Sequence, residues 1–123
     1  MQIMIVDDSK VMRRIVMRTL RQAGYGHAEL VEAADGTEAL AAIRQRTPDL
    51  VLCDWNMPQM NGIDLLDALR REGNQVKFGF VTTEGSPEMR DRASRAGALF
   101  LIAKPFTVDT FKSALHGVVA AAA

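Results

Sequence analysis

The chain has 123 residues, a length that suits one domain with a hydrophobic core and excludes a multidomain enzyme. Its 15 Lys and Arg residues balance its 15 Asp and Glu residues, so bulk charge draws it neither to nucleic acid nor to an anionic membrane, and we expect neither as a partner. No apolar run approaches the roughly 20 residues of a membrane-spanning helix, and the N-terminus lacks the features of a secretion signal. The single cysteine, Cys53, suits a reducing compartment, so we expect a cytoplasmic protein.

Apolar strands alternate with helices along the chain, which indicates a parallel α/β sheet with helices on both faces. Apolar runs predict strands at 3–6, 28–32, 49–53, 76–81 and 99–103. The first helix is expected between Ser9, a good N-cap, and Gly24. The later helices are predicted at 37–45, at 63–71, between Ser86 and Gly97, and at 108–118. Residues 120–123 are expected to fray.

Polar side chains follow four of the five predicted strands. Asp7 and Asp8 come after the first strand, Asp54 after the third, Thr82 after the fourth and Lys104 after the fifth. In open α/β sheets, ligands bind beyond the carboxyl ends of the strands. Any one of these aspartates could simply cap a helix or face solvent. As a set they are better explained by a shared site at one edge of the sheet.

Three carboxylates at such an edge need compensation, because ionised pairs about 5 Å apart repel by roughly 3 kcal/mol at an effective dielectric near 20. Protons could provide it, but a hard divalent cation suits oxygen ligands better, and Mg²⁺ is commonly held by one or two carboxylates and water. With Mg²⁺ and Lys104 the site would be neutral and open to an anion. Because magnesium often also binds phosphate oxygens, we expect that anion to be a phosphoryl group.

Asp54 has the central position and is expected to accept the phosphoryl group as a nucleophile. Lys104 would then neutralise the phosphoryl oxygens, and the hydroxyl of Thr82 would donate a hydrogen bond to one of them. The expected Mg²⁺ ligands are all oxygens: Asp8 directly, Asp7 through a bound water, Asp54, and the backbone carbonyl of Asn56.

Four segments carry a resemblance to a known family. Residues 4–9, 54–62, 81–84 and 104–106 resemble, in order and spacing, the receiver domain of bacterial two-component response regulators. The likeness covers essentially the whole chain, and residues 12–16 and 54–58 resemble the chemotaxis subgroup of single-domain regulators. It implies one receiver domain over residues 1–123, with a flavodoxin-like (βα)5 fold, strand order 2-1-3-4-5 and a cis Lys104–Pro105 bond.

The same resemblance implies the roles of the site residues. Asp54 is the phospho-acceptor, Asp7 and Asp8 bind Mg²⁺, and Thr82 and Lys104 are the switch residues. The implied phosphoryl donor is a histidine kinase. An effector protein is expected on the face formed by the fourth helix, fifth strand and fifth helix. Because the sequence ends after the fifth helix, we expect the output to be by protein contact rather than through an attached DNA-binding or enzymatic domain. We also expect a monomer, with a role in chemotaxis or motility.

Three further positions bear on how such a switch works. Asn56 and Glu84 occupy positions where the family tunes water access to the acyl phosphate, and both match the chemotaxis subgroup. Leu101 departs from the family, which usually has Tyr or Phe three residues before the lysine. Phe100 is adjacent, but strand alternation directs it to the opposite face of the sheet. It is therefore no simple replacement for the aromatic ring whose inward rotation reports phosphorylation in the family.

The first helix carries five cations and no acid: Lys10, Arg13, Arg14, Arg18 and Arg21. A solvated face explains most charge runs of this kind. The alternative is a docking surface for an acidic kinase or phosphatase, since the helix lies beside the expected site.

Other functions fit parts of the sequence. A phosphohydrolase would need a second acid two residues after Asp54, where Asn56 stands, so we expect no enzymatic activity beyond phosphorylation and dephosphorylation of Asp54 itself. A flavin-binding electron carrier would share the fold, but Asp7 and Asp8 would repel its phosphate. A phosphate sink, or an interaction module that is never phosphorylated, has the same fold and remains the alternative function.

Overall fold

The structure, a computed structural model, describes residues 1–83 and 85–120. Its five strands are β1 (Gln2–Val6), β2 (Glu29–Ala33), β3 (Leu50–Cys53), β4 (Lys77–Thr82) and β5 (Leu101–Ala103). They form one sheet in the order β2-β1-β3-β4-β5, and every neighbouring pair is parallel. The predicted fold class and strand order are confirmed.

Five α-helices follow the strands in turn: α1 (Lys10–Leu20), α2 (Gly36–Gln45), α3 (Gly62–Arg71), α4 (Pro87–Ala96) and α5 (Val108–Leu115). Each begins behind a polar side chain that accepts a hydrogen bond from the backbone N–H three residues later, which satisfies one of the unpaired donors of the first turn. These N-caps are Ser9, Asp35, Asn61, Ser86 and Thr107. A wide turn over Arg21–Tyr25 extends α1, and it contains Gly24 at φ 104°, a conformation that favours glycine.

Two hydrophobic cores lie on opposite faces of the sheet. Along β1, Ile3 and Ile5 belong to one core and Met4 and Val6 to the other, as strand alternation requires. Helices α1 and α5 cover the first face, and α2, α3 and α4 cover the second. Because both faces are covered, the central strand β3 is apolar along its whole length, and β1 is apolar from Ile3 to Val6.

Strand β5 is two residues shorter than predicted, and helix α5 is three residues shorter. The strand ladder of β5 begins at Leu101 rather than at 99, although the N–H of Leu99 already donates to the carbonyl of Phe78. Helix α5 ends at Leu115 rather than at 118, because Gly117 takes a left-handed φ of 78° and turns the chain. Residues 121–123 of the segment expected to fray lie outside the described residues. The Lys104–Pro105 bond is cis, as predicted.

Candidate functional site

Backbone hydrogen bonds carry the sheet one residue past the ends of β1 and β3, and this places two aspartates at its carboxyl edge. The N–H of Asp7 donates to the carbonyl of Ala33 at 3.2 Å, and the N–H of Asp54 donates to the carbonyl of Val6 at 2.9 Å. The two acids therefore leave adjacent strands at the same level, which follows from the parallel register.

Asp7, Asp8 and Asp54 form one carboxylate cluster. Each offers an oxygen that lies within 4.8 Å of those of the other two. Asp7 is buried, Asp54 is half-buried and Asp8 is exposed, so the cluster has a sheltered base and an open side. The structure thus brings together the three acids that the sequence predicted to meet.

The ammonium group of Lys104 bridges two of these acids. Its Nζ lies 2.9 Å from Oδ2 of Asp7 and 3.2 Å from Oδ2 of Asp54, and the lysine side chain is only 10% exposed. Burial opposes the lysine charge, but hydrogen bonding to Asp7 and the charges of Asp54 and Asp7 outweigh burial, so the pKa of Lys104 is raised. One cation facing three carboxylates leaves two negative charges, which matches a divalent cation with a preference for oxygen ligands.

Backbone groups fix the other oxygens of the two bridged acids. Oδ1 of Asp7 accepts a hydrogen bond from the N–H of Ser9 at 2.9 Å. Oδ1 of Asp54 accepts one from the N–H of Trp55 at 2.7 Å. Each carboxylate is thereby held from both sides, by a backbone amide and by Lys104, and its plane is set before any ligand arrives.

Thr82 joins the site through the backbone. It is the last residue of β4 and is fully buried, and its carbonyl accepts a hydrogen bond from the N–H of Lys104 at 2.8 Å. A backbone hydrogen bond thus joins the two residues that the family resemblance predicts as switch residues. Asn56 is exposed, two residues beyond Asp54, and Glu84 lies outside the described residues.

Gly62 permits the loop after Asp54 to close on itself. The N–H of Gly62 donates to the carbonyl of Trp55 at 2.8 Å, and a Cβ at this position would lie 2.2 Å from the carbonyl oxygen of Asp54. Only glycine fits there without moving Asp54. Trp55, at the start of this loop, is buried and packs against Phe80, with the two ring centroids 4.8 Å apart.

Arg13 supports the site in a way that sequence analysis missed. Its Nη1 donates to the carbonyl of Asp7 at 2.6 Å, and its Nε donates to Glu32 at 2.9 Å. The arginine side chain is 13% exposed, so it belongs to the turn after β1 rather than to a solvated run. Lys10, Arg14, Arg18 and Arg21 remain exposed. The signal in the sequence is Glu32, an acid one residue before the end of β2, the strand beside β1.

The family model of the response regulator receiver domain matches residues 3–116. This chain belongs to the response regulator receiver family. The receiver domain is 42% identical over 117 residues to chemotaxis protein CheY-3 of Vibrio cholerae, covering 94% of this chain and 88% of the relative. It is 38% identical over 118 residues to chemotaxis protein CheY of Pseudomonas aeruginosa, covering 94% of each. Among solved structures it resembles CheY4 of Vibrio cholerae, with a TM-score of 0.82 and 36% identity over 96% of this chain and 98% of that one.

At Leu101, where this receiver domain departs from the family, the neighbouring Phe100 lies on the opposite face of the sheet. Leu101 packs against the core beneath α2, α3 and α4, the side on which the family places its aromatic residue. Phe100 packs against the opposite core, beneath α1 and α5. The expectation from strand alternation is confirmed, and the ring lies on the wrong side of the sheet to replace the family's aromatic.

Among the helices within residues 1–83 and 85–120, none is both long enough and apolar enough to cross a membrane.

Proposed function

We propose that residues 1–123 form a single receiver domain of a two-component system, which a histidine kinase phosphorylates on Asp54 in a Mg²⁺-dependent reaction. The observation that carries this proposal is the carboxylate cluster of Asp7, Asp8 and Asp54 with Lys104 bridging it. Relatives that bear the names of chemotaxis proteins support a role in chemotaxis or motility. Cys53 is a free, buried thiol, which suits the reducing cytoplasm.

The donor set fits magnesium, because it consists of hard oxygen ligands with two uncompensated negative charges. Asp7, Asp8, Asp54 and the backbone carbonyl of Asn56 would hold the ion, which when bound supplies positive charge near the phosphoryl oxygens. The remaining chemistry belongs to the side chains. An oxygen of Asp54 attacks phosphorus and forms a P–O bond, while the P–N bond to the donor histidine breaks and its electron pair returns to the imidazole.

Lys104 and Thr82 respond to the new charge. The phosphoryl oxygens compete with Asp7 for the ammonium group, and the hydroxyl of Thr82 turns to donate to them. Because the Lys104 N–H is bonded to the Thr82 carbonyl, movements of the ends of β4 and β5 are coupled. The change shifts a population of conformations rather than creating a new fold.

The output surface in this proposal is the face of α4, β5 and α5 on a monomeric receiver. Leu99, just before β5, is 53% exposed and is one of three large apolar side chains exposed among the described residues. Strand β5 is an edge strand of the sheet, and the unpaired backbone groups of an edge strand can bind another chain. The effector therefore binds beside the strand that carries Lys104 at its end.

The test is to incubate the protein with Mg²⁺ and acetyl phosphate and to measure its intact mass. We expect a gain of one phosphoryl group that disappears with EDTA and in Asp54→Asn. Asp109→Asn, which removes an exposed acid on α5, is the matched control and should gain the group normally. No gain with any donor would leave only an unphosphorylated interaction module, and a gain that never alters partner binding would indicate a phosphate sink.

A further inference from the structure

Helix α4 buries little apolar surface, although Met89 and Ala96 pack partly buried against the core. Ala93 is its only fully buried residue, whereas α3 buries six. Two arginine contacts secure it against α3. Arg92 pairs with Asp67 at 2.5 Å, and Arg70 of α3 donates to the carbonyl of Gly97 at 3.2 Å. A helix with so little apolar burial can shift on the sheet at small cost in free energy, so individual polar contacts decide its position.

Arg90, in the first turn and a half of α4, makes a different kind of contact. Its Nη1 donates to the carbonyl of Leu101 at 3.2 Å, and its Nε donates to the carbonyl of Gly85 at 3.4 Å. One side chain therefore joins α4, the loop before it and the start of β5. Gly85 lies three residues after Thr82, and Leu101 lies three residues before Lys104. Arg90 thus touches both chain segments that lead away from the two switch residues.

The Leu101 carbonyl is an acceptor that the sheet leaves unused. Strand β5 pairs only with β4, and the carbonyl of Phe100 accepts the N–H of Phe80. Backbone alternation then directs the next carbonyl, that of Leu101, to the open edge of the sheet. An unpaired edge carbonyl is a point where another chain can add hydrogen bonds, and Arg90 covers it.

We propose that Arg90 is a positioning residue that holds the unphosphorylated conformation by tying the β4–α4 loop to the open edge of β5. This inference rests on the proposed function, because the signal it transmits begins with phosphorylation of Asp54. When Thr82 turns to the phosphoryl group, the short connection to α4 moves with it, and the Gly85 carbonyl is drawn away from Arg90. The guanidinium then loses one of its two anchors and releases the Leu101 carbonyl for an effector. Leu101 has no aromatic ring whose rotation could report phosphorylation. The contact of Arg90 with the Leu101 carbonyl reports it instead.

The closing experiment measures binding of beryllofluoride, a phosphoryl mimic, in saturating Mg²⁺. Since Arg90 favours the unphosphorylated state, linkage requires that its removal tighten binding of the mimic. We expect Arg90→Ala to bind about 5-fold more tightly, at the low end of allosteric couplings because the side chain is exposed. Arg90→Lys can reach one carbonyl but not both, and should fall between the parent and Arg90→Ala.

Two control variants distinguish a specific effect of Arg90 on beryllofluoride binding from a general loosening of α4. Arg95→Ala removes an exposed arginine of the same helix that pairs only with Asp91 in the described structure, and it should bind like the parent. Arg92→Ala loosens α4 from α3 without touching β5, and it should change the affinity less than twofold. Equal effects of Arg92→Ala and Arg90→Ala would overturn the inference, because general loosening would then explain both.

A second readout uses the amide NMR signals of Gly85 and Ile102, whose N–H follows the Leu101 carbonyl. In unliganded Arg90→Ala both signals should move along the line that joins the free and beryllofluoride-bound parent. If the parent itself binds no beryllofluoride, the proposed function fails and this inference fails with it. If the parent binds but Arg90→Ala matches it in affinity and in both signals, only the role of Arg90 is wrong.

Discussion

The ring of Phe100 lies directly over Gly79 of the neighbouring strand, where a Cβ would come within 2.1 Å of Cε1 of that ring. The glycine leaves a space on the face covered by α1 and α5, and the phenylalanine fills it. This pairing holds the ring of Phe100, which precedes Leu101 in the chain, on the side of the sheet away from α4. On the α4 side of the sheet this chain therefore has an aliphatic side chain, Leu101, where the family usually has an aromatic one.

Gly79→Ala should destabilise the protein by about 1–3 kcal/mol, because the added methyl group overpacks a filled space. Urea denaturation would measure this loss. The double variant Gly79→Ala, Phe100→Ala should lose less than the sum of the two single changes, since the methyl group no longer meets a ring. Strictly additive losses would show that the two residues do not share this space.

Gln59→Gly should stabilise the fold. Gln59 lies in the loop after Asp54 at φ 67°, and it is exposed, so its side chain contributes little packing. Glycine adopts this backbone conformation without strain. The strain energy relieved exceeds the free-energy cost of the extra entropy that glycine gives the unfolded chain, so the net gain in stability is about 0.5–1 kcal/mol. The urea midpoint is the measurement. Gln59→Ala keeps the Cβ and should show no gain, so an equal gain in that variant would argue against strain.

Lys104→Ala should destabilise the metal-free protein by about 3 kcal/mol, because it leaves the buried Asp7 carboxylate without its cationic partner. Saturating Mg²⁺ should then raise the melting temperature of the variant more than that of the parent, by about 4 °C, since no ammonium competes for the carboxylates. Thermal unfolding with Mg²⁺ and with EDTA measures both effects. Lys112→Ala, an exposed lysine on α5, is the control. An identical Mg²⁺ shift in parent and Lys104→Ala would separate Lys104 from the metal site.

The Cys53 thiol should resist alkylation in the folded protein at neutral pH. It is fully buried, and burial, followed by the charges of Asp54 and Asp7, raises its pKa well above the ordinary value, so almost no thiolate forms. Iodoacetamide followed by intact-mass measurement should label no thiol in buffer and one in urea. Rapid labelling of the native protein would place Cys53 nearer the surface than the structure does.

The cluster of Asp7, Asp8 and Asp54 followed from the sequence because parallel strands place all their carboxyl ends at one edge of the sheet. Knowing which residue follows each strand was therefore enough to bring the acids together. The separation of Phe100 and Leu101 onto opposite faces followed for a similar reason, since strand alternation is a local property.

The contacts that support the carboxylate cluster could not be predicted from the sequence in the same way. Arg13 looked like one member of a charge run, yet it binds the Asp7 carbonyl and Glu32 across two neighbouring strands. The start of β5 also differs from the prediction, because a ladder begins where the partner strand allows pairing rather than where the apolar run starts. Each of these depends on the register between elements far apart in the chain.

By itself the sequence determined the alternation of strands and helices, the side chains that meet at the carboxyl edge, and the face on which each residue of β5 lies. These depend on chain order and on the local geometry of strands. Only the tertiary structure decided that Lys104 bridges Asp7 and Asp54, that Phe100 fills the space above Gly79, and that Arg90 covers the Leu101 carbonyl. Such contacts are set by how separate elements pack in three dimensions, to within a few tenths of an ångström, and no local pattern encodes that distance.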